Sequence, residues 1–301
     1  MKCLNPVKLS RGRVVPCGKC FSCRSKRRSQ WAARLREESR FHLSQGNLCL
    51  FLTLTYNEEN VPKTSDGTRV ARIGEFSSFI KRLRKKLYGS KRGSLRYFGV
   101  SEYGPTTLRP HYHAILFGFP KLPFKRINQI LADCWASGYI SVSICNNRTI
   151  AYCTKYCLMD FMLSGVYAAP ENRPQLRCSK GLGRIFFASP ARVQWIRSGN
   201  FTYRFPEGYC CRLPRYWLTK VFTDVERWCY ILEYTALKEA DFRKQEREWL
   251  SLVESVDKED YLLLAESLWK ESPYYKVSRE LESDRNIARS RQKQMIKRCK
   301  L

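Results

Sequence analysis

The longest apolar run in the 301-residue chain begins at Leu48 and stops well short of the ~18–20 residues that a membrane span requires. Read on to Tyr56 it is Leu-Cys-Leu-Phe-Leu-Thr-Leu-Thr-Tyr, in which Thr53 and Thr55 alternate with Leu52 and Leu54. A period of two is a strand that offers one face to a core. Upstream, residues 22–43 have the spacing of a long basic helix with Trp31, Leu35 and Phe41 facing inward. Residues 75–88 form an amphipathic helix, with Phe76, Phe79, Ile80, Leu83 and Leu87 inside. Strands are expected over 95–102 and 111–117, a helix over 124–135, a strand over 139–145 and a helix over 149–163. Gly104 and Pro105 mark the turn of a hairpin between the first two of these strands. Short connections of this kind predict an α+β fold, with a mostly antiparallel central sheet and flanking helices.

The chain reads as four segments. Residues 1–30 are a Cys-rich knuckle and 31–165 the core. Residues 166–219 are a basic, loop-rich extension with two short strands near Arg184–Phe187 and residues 203–205. Residues 220–301 are a helical, basic C-terminal region.

Charge narrows the function. The chain has 55 Lys and Arg against 27 Asp and Glu, a net +28, which excludes an acidic scaffold and disfavours a small-metabolite enzyme. Such an excess calls for a polyanion: nucleic acid first, an anionic membrane surface second. The amino terminus is basic without an apolar core, so no signal peptide is expected and the cytosol is the expected compartment. In that setting 14 cysteines imply reduced thiols or metal ligands. Cys49, Cys134, Cys145, Cys153 and Cys157 lie in apolar stretches and read as small buried hydrophobes. Cys17, Cys20 and Cys23 are different, because thiolates two residues apart chelate well and Cys3 supplies a possible fourth. Structural zinc is the expected occupant, with an iron–sulfur cluster or free thiols as alternatives. Arg24, Lys26, Arg27, Arg28, Arg34 and Arg36 follow at once, either a grip on DNA or a solvated helix face.

Two of the three histidines are His111 and His113. On a strand, residues two apart share a face and stand ~6.6 Å apart. The hairpin through Gly104 would bring Glu102 beside them. Two imidazoles and a carboxylate suit Mg²⁺, Mn²⁺ or another divalent ion holding a phosphate oxygen; the plainer alternative is two strand histidines. Downstream, Tyr152, Lys155 and Tyr156 fall at i, i+3 and i+4, on one helix face. A tyrosine hydroxyl with a pKa of ~10 is a poor nucleophile, and a nearby cation and a polarised phosphate lower that cost.

Glu102, His111-Tyr-His113 and Tyr152-Cys-Thr-Lys155-Tyr156, in this order, resemble the HUH endonucleases, the metal-dependent tyrosine enzymes that nick single-stranded DNA for rolling-circle replication. Phe51 to Tyr56 is similar to that family's apolar first motif, and Arg109 to Gly118 to its histidine motif. The Cys17–Cys23 cluster, Ser101-Glu102-Tyr-Gly104, Gly181-Leu-Gly183 and Pro214-Arg-Tyr-Trp217 narrow the resemblance to the replication initiators of gokushovirus-type microviruses. It covers about residues 1–220. Met159 stands where the family often carries lysine.

The resemblance implies an HUH-like sheet with Mg²⁺ or Mn²⁺ held by Glu102, His111 and His113. It implies Tyr152 and Tyr156 as alternating nucleophiles, with Lys155 as their electrostatic partner. The expected product is a 5′-phosphotyrosine link and a 3′ hydroxyl primer, the strand later being rejoined. The expected partners are single-stranded DNA and a replication origin, contacted by Arg24, Lys26, Arg27, Arg28 and Arg109, in the cytoplasm of a bacterial host. A host polymerase is expected, and also a host helicase, because the chain has no phosphate-binding Gly-x-x-x-x-Gly-Lys-Ser/Thr loop. A two-tyrosine transposase and a non-catalytic, zinc-containing nucleic-acid-binding regulator are the competing functions.

Overall fold

The chain opens with a two-strand ribbon, β1 (Val7–Lys8) and β2 (Val14–Val15), paired antiparallel. The long helix α1 (Phe21–Ser44) follows, then β3 (Leu48–Tyr56), α2 (Ile73–Tyr88), β4 (Arg96–Tyr103) and β5 (Pro110–Phe119). Next come α3 (Phe124–Cys134), β6 (Gly138–Ile144), α4 (Asn147–Lys155) and the short β7 (Leu176–Cys178). This computed structural model describes residues 3–10, 14–89, 95–104, 106–155, 165–256 and 258–299. The expected helix over 149–163 is therefore described only to Lys155, and Tyr156, Cys157 and Met159 lie outside the described residues.

Five strands make the central sheet in the order β6-β3-β5-β4-β7, every pair antiparallel. Alternation along the strands sorts its two faces. Leu50, Leu52, Leu54 and Tyr56 of β3, with Tyr112, Ala114 and Leu116 of β5, are buried against α2 and α3. Phe76, Phe79, Ile80 and Leu83 come from α2, and Ile127, Ile130 and Leu131 from α3. Trp135 closes this layer, its indole N–H donating to the Thr55 carbonyl at 3.2 Å. At Gly138 the backbone has φ +153, and a Cβ there would collide with the Thr55 carbonyl and the Asn57 amide. Only glycine lets β6 start this close to β3.

The opposite face is covered by α1 and α4. Trp31 packs on Phe98 with ring centroids 5.0 Å apart, and Leu35 is fully buried. Phe41, expected inside, is 37% exposed. The centre of α1 carries a buried carboxylate, Glu38. It pairs with Arg96 of β4, meets His42 Nε2 at 3.3 Å, and accepts the Gly183 backbone N–H at 2.7 Å. Gly183 sits at φ +74, and a Cβ there would lie 2.8 Å from the Arg34 carbonyl oxygen. Arg34 is sandwiched between the rings of Trp31 and Tyr216, at 4.1 and 4.3 Å, and donates to the Leu182 carbonyl. Arg36 is buried, pairs with Glu207 and lies over Phe205. These two arginines, read as part of a DNA grip, are interior fastenings instead, because aromatic faces and a carboxylate neutralise them there.

Downstream of β7, the 184–187 segment is a 3-10 turn and not a strand, since Gly183 in its left-handed conformation starts a coil closed by Phe186 N–H to Gly183 O at 3.2 Å. The helix α5 (Pro190–Arg197) leads to a hairpin of β8 (Thr202–Arg204) and β9 (Cys210–Arg212). In α6 (Arg215–Val221), Trp217 stacks on Phe186 at 3.8 Å and donates to the Gly183 carbonyl.

Residues Arg24–Trp217 form one compact unit, so the expected segments 31–165 and 166–219 fall within one body. The other unit joins Met1–Cys23 to Leu218–Leu301. Its helices are α7 (Asp224–Glu254), α8 (Lys258–Glu271) and α9 (Pro273–Cys299), as the charged helical pattern predicts. A capping box of Thr223 and Glu226 starts α7.

Burial raises the Glu38 carboxyl, but His42, the Gly183 amide and Arg96 outweigh it and hold the group below its ordinary value. A carboxylate lowered in the folded state stabilises above the usual carboxylate range and loses that contribution as pH falls through its folded pKa. Glu38→Ala, which strands Arg96, should therefore cost about 3–5 kcal/mol at neutral pH, with a smaller loss in acid. Urea unfolding of both proteins across that pH range checks it.

Candidate metal centre and nucleophile

The register of β5 builds the centre. His113 is paired with Thr53 on β3 and Val100 on β4; His111 is paired with Thr55 and Glu102. Residues paired across antiparallel strands share a face, so two adjacent rows place Glu102, His111 and His113 together. Glu102 Oε2 lies 3.0 Å from His111 Nε2 and 2.7 Å from His113 Nε2. One ligand atom from each of the three residues falls within 4.8 Å of the others.

The other ring nitrogens are held from behind. His111 Nδ1 is 3.1 Å from the Arg109 carbonyl, an acceptor only, so Nδ1 carries the proton there and leaves Nε2 to face Glu102. His113 Nδ1 is 3.1 Å from the Thr53 hydroxyl. Outer partners of this kind orient metal-bound imidazoles. Burial pushes both imidazoles down in pKa. Glu102 and the Arg109 carbonyl more than offset this for His111, which ends above the ordinary value. For His113, burial and the neighbouring His111 charge prevail over Glu102, and it ends below. Two nitrogen donors and one oxygen, backed by the sheet, fit a divalent cation with positions left for a ligand.

Tyr152 reaches the same point from α4. Its hydroxyl is 3.3 Å from His113 Nε2, and its ring meets His113 edge-on at 4.8 Å. Phe51 stacks on His113 at 5.7 Å and meets Tyr152 edge-on at 5.9 Å, fixing both. Tyr152 is 40% exposed, so its hydroxyl is at once buttressed and accessible. Lys155 is half-buried in the last turn of α4.

The predicted nucleic-acid residues divide. Lys26 and Arg27 are exposed and Arg24 is half-buried. Arg28 donates to the Ala151 carbonyl on α4 at 3.4 Å, one residue before Tyr152. Arg109 pairs with Glu58 and donates to the Tyr56 carbonyl at 2.6 Å, fastening the start of β5 to the end of β3. Thr53, Phe51 and the contact from Arg28 to α4 are functional supports that sequence reasoning missed. Thr53 carried a signal, since it is a polar residue on an apolar strand, but its partner depends on register.

The second cluster lies in the other unit. Cys3 Sγ is 3.5 Å from Cys17 Sγ and 3.8 Å from Cys20 Sγ, and the four sulfurs of Cys3, Cys17, Cys20 and Cys23 lie within 4.8 Å of one another. Backbone N–H groups aim at the sulfurs: Cys17 at Cys3, Cys20 at Cys17, and Leu4 at Cys20. The amides of Cys20 and Lys19 lower the Cys17 thiol to about 6, whereas burial pushes Cys23 up to about 12. A thiolate ready to bind beside a thiol that resists ionisation without a counter-charge fits a tetrathiolate metal site. Cys49, Cys134, Cys145 and Cys153 are buried, as expected for small core residues.

The chain is 25% identical to the replication-associated protein ORF2 of Spiroplasma virus 4 over 231 residues, covering 70% of this chain and 71% of that protein. It is 31% identical to the replication-associated protein VP4 of Bdellovibrio phage phiMH2K over 158 residues, covering 48% and 47%. It is 27% identical to the replication-associated protein ORF4 of Chlamydia phage 1, covering 64% and 51%. The chain thus spans about half the length of two of these relatives. No solved structure matches it significantly. The family model for replication-associated protein ORF2 matches residues 49–161. That stretch contains Glu102, His111, His113 and Tyr152, and through it the chain belongs to the replication-associated protein ORF2 family.

Proposed function

We propose that this protein initiates rolling-circle replication by nicking single-stranded DNA with Tyr152 as nucleophile. The observation that carries this reading is the Tyr152 hydroxyl 3.3 Å from His113 Nε2, at the Glu102–His111–His113 cluster. Glu102, His111 and His113 would hold Mg²⁺ or Mn²⁺, which when bound supplies Lewis-acid polarisation of a phosphate oxygen. Tyr152 Oη forms a bond to phosphorus and gives its proton to solvent. The bond from phosphorus to the 3′ oxygen breaks, and that oxygen takes up a proton as a 3′ hydroxyl. The protein keeps the 5′ phosphate as a phosphotyrosine diester. Because that ester retains the energy of the original bond, a later 3′ hydroxyl reseals the strand and frees the tyrosine without ATP.

Lys155, one turn after Tyr152, supplies positive charge near the attacking or leaving oxygen. Tyr156 is assigned by spacing alone as the second nucleophile, cutting the next origin while Tyr152 still carries DNA. Arg24, Lys26, Arg27 and Arg28 take phosphates of the strand. A host polymerase extends the 3′ end and a host helicase opens the duplex, in the cytoplasm of a bacterial host. The replication-associated relatives support this role. Four clustered cysteine sulfurs, three of them facing backbone N–H groups, support zinc as the metal of the Cys3–Cys17–Cys20–Cys23 cluster.

Incubation with Mn²⁺ and circular single-stranded DNA should give a covalent adduct. Either Tyr152→Phe or Tyr156→Phe should leave some adduct and reduce closed circles, and the double change should leave none. An adduct at the wild-type level in the double variant would refute the assignment. His113→Ala should abolish nicking while salt-sensitive binding persists. Thr53→Val should raise the Mn²⁺ concentration for half-maximal nicking roughly 10–100-fold, with the maximal rate recovered at high metal. Elemental analysis should find about one zinc per chain at the cysteines, and its removal should lower the melting temperature.

A further inference from the structure

Within the Arg24–Trp217 unit, α1 and the 185–206 segment enclose a cleft of about 530 Å³ that the nicking chemistry leaves unused. A second cavity of about 520 Å³ shares Glu37, Arg40, Phe186 and Arg192 with the first, so the two form one groove along α1. Asn147, at the start of α4, lines the first cavity. It precedes Tyr152 by five residues on the same helix, ~7.5 Å along the axis. A ligand in the groove is therefore a near neighbour of the nucleophile.

The walls have a specific chemistry. Trp195 presents an indole that is 39% exposed, on a helix whose Arg192 lies 4.5 Å over the Phe186 ring. Phe186 is itself stacked on the buried Trp217, which makes the backing rigid. Glu37 is a buried acceptor in the wall. Tyr203 donates to its Oε1 at 2.7 Å and Arg40 to the same oxygen at 3.3 Å, so both bonds leave Oε2 for a donor from a ligand. Arg40 and Arg204 add exposed cationic charge to the lining. An aromatic platform, a carboxylate acceptor and cations together match an unstacked nucleobase with its phosphate. The carboxylate selects bases that offer an amino donor, as cytosine and adenine do; thymine presents a carbonyl in that place.

We propose that this groove is a recognition pocket for an amino-bearing base beside the nick site, with Trp195 as the stacking platform and Glu37 as the acceptor. The ligand class rests on the nicking reading, so the test is chosen to need neither cleavage nor metal. Fluorescence anisotropy of labelled dC12 and dT12 with the full chain in EDTA should show tighter binding of dC12. Trp195→Ala should weaken dC12 by about tenfold, and Trp195→Phe should recover most of it. In Glu37→Gln the amide oxygen replaces Oε1 toward Tyr203 and Arg40, which puts the amide nitrogen, a donor, where Oε2 was. The preference should then turn toward dT12, which a merely structural role would not produce. Wild-type affinity in Trp195→Ala, or an unchanged dC12 to dT12 ratio in a folded Glu37→Gln, would overturn the proposal. Should Glu37→Gln unfold, the Trp195→Ala and Trp195→Phe pair decides alone. A chain that binds as expected but forms no adduct at Tyr152 would refute nicking and keep the groove.

Discussion

β5 is hydrogen-bonded on both sides, and its register with β3 and β4 decides where every ligand atom stands. With the observed pairing, Thr53, His113 and Val100 form one row and Thr55, His111 and Glu102 the next. A slip of one residue would turn the histidines into the α2 layer and bring Tyr112 to the site, since the side-chain period is two. Burial on both faces forbids that slip. The hydrophobic effect, acting on Leu52, Leu54, Tyr112 and Ala114, thereby fixes a polar geometry in which it takes no part.

The positive charge of the chain is not spent uniformly on a polyanion. Arg34, Arg36 and Arg96 lie along α1 and the start of β4, each answered inside the fold by aromatic rings or by Glu38 or Glu207. They hold α1 and the Gly183 loop on the sheet face opposite the α2–α3 core. Lys26 and Arg27, a few residues earlier on the same helix, remain exposed. One helix thus carries interior fastenings and outward cations in succession, and composition alone does not separate the two.

Much of the core was legible because its signals are local. The alternation in Leu48–Tyr56 matches β3 residue for residue, and the hairpin through Gly104 does bring Glu102 opposite His111. The Cys17-x-x-Cys20-x-x-Cys23 spacing likewise pointed to a cluster, which Cys3 joins. What was not legible depends on distant pairing. β7 has three residues and no periodicity of its own, and it is a strand only because β4 offers an edge. Thr53 behind His113 and Arg28 behind Ala151 are consequences of packing between elements remote in sequence. The 184–187 segment looks like a strand by composition, and a left-handed glycine before it makes it a turn.

The residue between the two histidines has its own consequence. Tyr112 points away from them, fully buried, and its hydroxyl receives a bond from Tyr56 at 2.7 Å, receives the Arg72 amide and donates to the Arg72 carbonyl. The strand that bears the chemistry is thus bolted through the sheet to the entrance of α2. Amide hydrogens of β5 around Tyr112 belong with the slowest-exchanging class, those released only by global unfolding. Catalytic residues are more often carried on loops. Here the stationary partner is the inorganic half of the reaction centre, and whatever motion turnover needs falls to α4 and the tyrosine it carries.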